Sequence, residues 1–456
     1  MRIIPLSLVP IFVATAACGD DVAATPPSSL QTTVATSLHG DRTAACVAVA
    51  VIGETIERAI VCADPLASRG LDATTAFEIG SISKTMTGFA VASLVAKGAL
   101  AIDAELTRYL PTGTTVPSFA GQAITLKNLV THTAGLPPLP SRLTITNPAN
   151  PYVGLSESEL LLSLGDVQLQ QAPGTTWAYS NFGFMVLSTV VTRASGGDLQ
   201  SLLARSLFEP LGMSNAYISQ PPPATATAIG HLPGGLEVDA WDFPDAIAGV
   251  GGVRASLNDM ILYAEAVLGR GDPEVVATVA SATLPLLTPV VGPTMAMGWP
   301  VLTVGTSTIV AHDGGTGGFS SFLVVDQTRK RAVVVLADTS IASVGFTNEL
   351  ALHLLDPALA AAPTPRLVAT PPAALLQQLV GRYRIDELDT DVALTVRNGT
   401  LYVIVDGLPD TALSYDNHGD FFPINADALL TPVRQPDGSY NIRYTSDGIF
   451  EAVRIP

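Results

Sequence analysis

The stretch Phe77-Glu78-Ile79-Gly80-Ser81-Ile82-Ser83-Lys84 heads an apolar helical segment and decides how the rest of the chain is read. It sets a hydroxyl and an amine three residues apart. One helical turn carries i and i+3 onto the same face, so Lys84 reaches the Ser81 hydroxyl without long-range help. A serine hydroxyl is a weak nucleophile near neutral pH and needs a neighbouring base to take its proton. The helix start adds free backbone N–H groups and partial positive charge where an oxyanion would develop. Ile82, Met86, Phe89, Ala90 and Leu94 continue the apolar face to a stop near Gly98.

Two further elements follow in order. Tyr179-Ser180-Asn181 ends the run Pro173-Gly174-Thr175-Thr176-Trp177-Ala178. A tyrosine near a lysine can have its phenol acidified and take or share the serine proton. The asparagine two residues on can donate to and accept from a substrate amide. A second Tyr-x-Asn, Tyr415-Asp416-Asn417 before His418-Gly419, reads as a surface turn. The third element is His312-Asp313-Gly314-Gly315-Thr316-Gly317-Gly318-Phe319, directly after an apolar strand and before another. Its glycines let backbone approach a ligand closely, and a strand N–H there can complete an oxyanion hole.

These three elements resemble the Ser-x-x-Lys, Tyr-x-Asn and Lys-Thr-Gly pattern of serine β-lactamases and penicillin-binding proteins. The likeness is to the class C β-lactamase-related serine hydrolases of the DD-peptidase type, with some esterases. Further stretches share it: the residues before Ser81, the run Thr125-Leu126-Lys127-Asn128-Leu129-Val130-Thr131-His132-Thr133-Ala134-Gly135-Leu136-Pro137, and Pro210-Leu211-Gly212-Met213. The resemblance implies that Ser81 is acylated and then released by water, with Lys84 and Tyr179 moving the proton in a division left open. It implies that Asn181 orients the acyl side-chain amide, that the N–H groups of Ser81 and Gly315 hold the oxyanion beside Gly314, and that His132 packs. His312 stands where the family's lysine stands, and Asp313 where its threonine stands. A fixed cation attracts a substrate carboxylate; an imidazole is mostly neutral above its ordinary pKa. Weaker recognition of carboxylate-bearing β-lactams is expected.

Composition agrees with an enzyme of this size. The 456 residues are 48% hydrophobic and 14% charged, enough for a large core and a smaller companion. A net charge of -17 argues against nucleic acid and anionic membrane surfaces as partners. No His-Glu-x-x-His, paired Cys-x-x-Cys, Gly-x-Gly-x-x-Gly or Walker lysine occurs, so no metal or other cofactor is expected.

Arg2 followed by a short apolar run and small residues reads as an export signal. Thr15-Ala16-Ala17-Cys18 resembles a lipoprotein cleavage box that would lipidate Cys18, and Ala14-Thr15-Ala16 fits ordinary secretion. Either places the protein outside a bacterial cytoplasm, as a periplasmic or lipid-anchored protein. The run is too short to cross a bilayer, and no transmembrane helix is expected. Cys46 and Cys62 flank two apolar runs; if these form a hairpin the thiols face each other and can be bridged, and export favours the disulfide.

The expected organisation is a signal peptide over 1–18, a Pro/Ser/Thr-rich tether over 19–38, and a catalytic domain over 39–357. An Ala/Pro-rich linker over 358–374 and a small C-terminal β domain over 375–456 follow. Strands near both ends of the catalytic domain with helices between imply an α/β (α+β) fold, one antiparallel sheet covered by helices beside a helical subdomain. Asn398-Gly399 between alternating runs predicts a type I′ hairpin. The expected function is an exported serine hydrolase acting on D-Ala-D-Ala-type peptides derived from peptidoglycan, or on β-lactam amides. An esterase or transacylase on small acyl esters, and a penicillin-recognising sensor, are the alternatives.

Overall fold

A computed structural model of the chain describes residues 30–64, 66, 69–340, 346–446 and 449–456. The expected signal peptide, Cys18 and the first part of the tether lie outside the described residues.

Residues Cys46–Ile52 (β1), Ile56–Cys62 (β2), Thr294–Met295 (β9), Pro300–Val304 (β10), Ser307–Gly315 (β11), Ser320–Asp326 (β12) and Arg331–Ala337 (β13) form one sheet. Its order is β2-β1-β13-β12-β11-β10-β9, antiparallel throughout. β1, β12 and β13 are buried along nearly their whole length and show no polar alternation, because they are covered on both faces. Along β13, Ala332, Val334 and Leu336 enter the main core, while Val333, Val335 and Ala337 pack on the opposite side. The main-core helices are Ser83–Ala96 (α2), Leu126–Val130 (α3), Glu157–Gly165 (α4), Asn181–Ser195 (α5), Leu199–Leu203 (α6), Glu209–Leu211 (α7), Leu257–Val267 (α8) and Pro273–Thr283 (α9). The other side is closed by Leu30–Leu38 (α1) and Phe346–Leu355 (α10). Short pairs join β3 (Ala76–Glu78) to β8 (Arg254–Ser256), β4 (Ser118–Phe119) to β5 (Gln122–Ala123), and β6 (Gly230–Leu232) to β7 (Leu236–Val238).

Helix α1 corrects the expected tether. Leu30, Val34 and Leu38 recur every four residues and bury one face, a spacing that the Thr/Ala-rich composition masks. Helix α2 is buried on every side from Ser83 to Leu94, so it is the central helix of the core and not a surface helix with one apolar face. Cys46 and Cys62 are register partners across β1 and β2 and are joined by a disulfide.

After α10 the chain runs without regular structure to Ala373–Leu379 (α11). Beyond it Gly381–Ile385 (β14), Thr390–Arg397 (β15), Thr400–Val405 (β16), Thr411–Tyr415 (β17), Phe421–Phe422 (β18), Leu429–Arg434 (β19), Tyr440–Thr445 (β20) and Ile449–Ile455 (β21) close into a barrel. Tyr383, Leu394, Leu401, Leu413, Phe421, Leu430, Ile442 and Phe450 fill it. Asn398 and Gly399 both have positive φ, +51° and +81°, as a type I′ turn requires.

Tyr415-Asp416-Asn417 leads into the surface turn expected, with Asn417 and His418 exposed, but Asp416 itself is not at the surface. Asp416 is fully buried where the barrel meets the sheet domain, accepting from Arg42 Nε and Arg366 Nη1 at 3.0 Å each. Arg366 also pairs with Asp420 at 2.6 Å, and its backbone N–H donates to Asp41. The segment expected as a free linker is therefore pinned at its middle.

Candidate active site

Strand β3 pairs with β8 and delivers the chain into a single 3-10 turn, Gly80–Ile82, that leads directly into α2. Ser81 sits in this turn. The turn is pressed against the end of β11: a Cβ on Gly80 would come within 2.5 Å of Gly315 N, and one on Gly314 within 2.0 Å of Ile79 O. Gly80 also has φ +50°, so glycine is needed there twice over. Ser321 Oγ donates to Ile79 O at 3.0 Å and ties β12 to the same turn. His312 through Gly315 are part of β11 itself, paired with β12 as far as Gly315↔Ser320, where a loop after the strand was expected.

Lys84 Nζ lies 2.8 Å from Ser81 Oγ and donates to the carbonyl of Val250 at 2.7 Å. Tyr179 OH donates to Ser81 Oγ at 2.7 Å. All three groups are buried. Burial drives the Lys84 amine well below the ordinary lysine value, opposed by the charge of Asp313. Burial, reinforced by Asp313, lifts the Tyr179 phenol well above its usual value despite its bond to Ser81. This reverses the expected acidification of the phenol: burial penalises the phenolate and decides the direction. The cluster thus sets an amine whose charged form burial disfavours and a protonated phenol on one hydroxyl oxygen.

The 125–137 run builds the cradle for Tyr179. Thr125 caps α3 in a reciprocal capping box with Asn128. His132, at φ +56°, stacks on Tyr179 with ring centroids 4.5 Å apart, and its Nδ1 accepts the Ser180 N–H at 3.1 Å. Burial, then the neighbouring Lys84 and His312, keep its imidazole well below its ordinary pKa. His132 therefore holds the tyrosine loop without touching Ser81 Oγ. Gly174 N–H on Thr133 O and Ala178 N–H on His132 O complete the seam.

His312 is buried, with its ring 6.4 Å from that of Tyr179 and Nδ1 donating to Asp313 O at 2.6 Å. Burial pushes its pKa down to about 4, so at neutral pH it carries no charge. Asn181 opens α5, and its Oδ1 is buried with no hydrogen-bond partner among the described residues. Sequence reasoning misses Val250, whose contribution is a carbonyl that any residue type supplies. It also misses Trp241, Phe243 and Tyr152, which gather beside Gly251 and Gly317 from two distant loops. No cluster of three or more metal-ligating side chains occurs among the described residues, and no described helix is long and apolar enough to cross a membrane.

A family model described as beta-lactamase matches residues 30–355. Among curated proteins, the chain is 32% identical over 144 residues to the D-alanyl-D-alanine-carboxypeptidase/endopeptidase AmpH of Escherichia coli (strain K12), covering 32% of this chain and 37% of that one. It is 34% identical over 194 residues to esterase EstB of Burkholderia gladioli, covering 38% and 48%. It is 26% identical over 290 residues to penicillin-binding protein 4* of Bacillus subtilis (strain 168), covering 59% and 62%. The chain thus spans between about one third and three fifths of these relatives' lengths. Among solved structures, a β-lactamase/D-alanine carboxypeptidase from Pseudomonas syringae superposes with a TM-score of 0.57 at 20% identity, over 68% of this chain and 92% of that one. An octameric penicillin-binding protein homologue from Pyrococcus abyssi does so at 0.56 and 16%, over 90% and 96%, so its likeness extends through the barrel. With the family model matched from α1 to the end of α10, the chain belongs to the β-lactamase family.

Proposed function

We propose that the protein is an exported serine hydrolase that works through a Ser81 acyl-enzyme on D-Ala-D-Ala-type peptides or β-lactam amides. One observation carries the reading: Ser81 Oγ has at 2.8 Å an amine whose pKa burial drives down, and at 2.7 Å a protonated phenol. Lys84 takes the Oγ proton as the Oγ–C bond forms. The oxyanion is held by the N–H of Ser81 and that of Gly315, which lies against Gly80. Tyr179 gives its proton to the leaving nitrogen as the C–N bond breaks, and the ammonium of Lys84 restores the phenol. Water then attacks the acyl carbon by the same relay run once more, returning the proton to Oγ as the acid departs. Asn181 Oδ1, lacking a partner, accepts the N–H of an acyl-side amide. The disulfide fits an oxidising compartment and supports export. The division into a catalytic domain over 30–357, its start moved back to take in α1, and a C-terminal domain over 375–456 is part of the same proposal.

A second reading is favoured by His312. A neutral imidazole beside Asp313 replaces the fixed cation that would draw a substrate carboxylate, which suits an ester with an uncharged leaving group. The likeness to an esterase supports it.

Labelling with a fluorescent penicillin tests the nucleophile, with D-Ala release and p-nitrophenyl ester cleavage scored in parallel. Wild type is expected to form a covalent adduct that turns over, and Ser81→Ala to lose adduct and turnover by at least about 10³-fold. Turnover on esters alone selects the second reading, and an adduct that never releases makes the protein a sensor. Adduct formation at wild-type rate in Ser81→Ala overturns the proposal.

A further inference from the structure

One aromatic cluster beside the nucleophile has no part in the proton relay. Tyr152 stacks on Phe243 with centroids 5.2 Å apart and 23° between the planes, and meets Trp241 edge-on at 5.4 Å. Two close approaches fix the cluster against the site. A Cβ on Gly317, just past the end of β11, would lie 2.5 Å from Trp241 Nε1. A Cβ on Gly251 would lie 3.2 Å from Phe243 Cζ and 3.8 Å from the carbonyl carbon of Gly80. Gly251 follows the residue whose carbonyl holds Lys84, and Gly80 precedes Ser81. Trp241 and Phe243 keep part of their surface open to solvent, while Tyr152 is buried behind them.

The wall is clamped from the nucleophile's own strand. Trp241 N–H donates to Glu78 Oε1 at 2.9 Å, its C=O accepts from Arg254 Nη2 at 2.8 Å, and Glu78 and Arg254 pair at 3.0 Å. Glu78 and Arg254 are register partners on β3 and β8, three residues before Ser81 and four after Val250. Two buried charges thus hold both backbone polar groups of one tryptophan. The indole N–H of Trp241 itself is buried with no partner among the described residues, a deficit that an acceptor arriving beside Gly317 would relieve.

The relay decides which arm of a substrate meets this wall. With the oxyanion at Gly315, one arm extends towards His312 and Tyr179 and the other towards Gly317. Tyr179 protonates the leaving group, so the leaving group occupies the His312 side and the acyl arm the Gly317 side. We propose that Trp241, Phe243 and Tyr152 form the acyl-arm subsite and select an aromatic or similarly extended apolar acyl group. The inference rests on the reading of Ser81 as the acylated nucleophile and adds the acyl class to it. Stacked and edge-on aromatic contacts supply the selection.

The test compares p-nitrophenyl phenylacetate with p-nitrophenyl acetate on the full-length protein, each rate divided by its uncatalysed hydrolysis. Wild type is expected to prefer the phenylacetyl ester at least tenfold in kcat/KM. Trp241→Ala is expected to erase at least tenfold of that preference, chiefly through KM, and Trp241→Phe to restore most of it. A packing role alone would lower both esters together and leave the ratio unmoved; that result, or a wild type without the preference, overturns the inference. Should Trp241→Ala not fold, Tyr152→Ala is read by the same ratio. Ser81→Ala separates the two levels: its loss of both activities retains the nucleophile while the ratio judges the wall, and its continued turnover removes the nucleophile and the inference with it.

Discussion

Two of the places where the molecule buries ionisable groups treat them in opposite ways. At the Ser81 cluster, Lys84, Tyr179, His132 and His312 are buried with a single carboxylate, Asp313, 3.7 Å from His312, and burial pushes each towards its neutral form. At the seam between sheet domain and barrel, Arg42 and Arg366 surround Asp416 and Asp420. Burial alone would raise the Asp416 carboxyl, but Arg366 and Arg42 outweigh it and hold its pKa below the ordinary value. Desolvation acts in both places; pairing decides whether a charge survives it. A lysine whose pKa burial lowers suits the proposed role of base, whereas a paired arginine is a rivet. The difference separates chemistry from attachment without appeal to motif.

The largest expected effect tests the chemical half. Lys84→Met keeps volume and removes the base, so ester turnover and penicillin labelling should fall about 10²–10⁴-fold. Stability should stay within about 1 kcal/mol, because losing a costly buried amine offsets the orphaned Val250 carbonyl. In wild type, kcat/KM should rise with pH along a limb well below an ordinary lysine pKa. A variant that melts early while keeping its rate per folded molecule would place Lys84 among the rivets.

The seam should respond the other way round. Asp416→Ala removes the carboxylate bonded to Arg42 and leaves Asp41 to act on it through charge alone, while Arg366 keeps Asp420. Breaking such a pair is expected to cost about 3–5 kcal/mol in urea unfolding. Ester turnover by the protein that remains folded should be little changed. Replacing both partners, Arg42→Met with Asp416→Leu, should recover much of the loss, since no unpaired charge then stays behind. Equal damage from the single and the double variant would break the comparison on this side.

The two regions are also unequally legible in the amino-acid sequence. Ser81 and Lys84 are three residues apart on one helix, so local geometry alone brings them together. Tyr179 and His312 come from far along the chain and are recognisable through residue type, order and the glycines that follow His312. Nothing comparable marks the seam. Asp416 sits in a Tyr-Asp-Asn-His-Gly turn whose composition reads as surface, and its burial depends on where a whole barrel docks. Helix α1 is hidden for a related reason: its three apolar residues are too few to outweigh the Thr and Ala around them until the sheet face that covers them is known. The direction of the phenol's pKa shift is equally illegible, because sequence places Tyr179 near a lysine without saying how deeply the phenol itself is buried.

Acid separates the two regions by pH. His312 has a folded pKa of about 4 against an ordinary value of 6.5. Between those values the unfolded chain binds more protons than the folded one, so stability rises with pH across the window and is lost as pH falls from 6.5 towards 4. His132, also held low, adds to the same slope. Asp416 has the opposite character: its stabilisation is present above 3.8 and is lost only as pH falls below that, through its lowered folded value. Urea unfolding of wild type from pH 7 to 4.5 should therefore weaken through the site while the seam holds. His312→Asn should flatten that dependence by up to about 3 kcal/mol, the worth of a shift of this size. Superimposable slopes for His312→Asn and wild type would mean that the imidazole is charged in the folded protein, and the contrast between a neutral site and an ionised seam would then fail at its most exposed point.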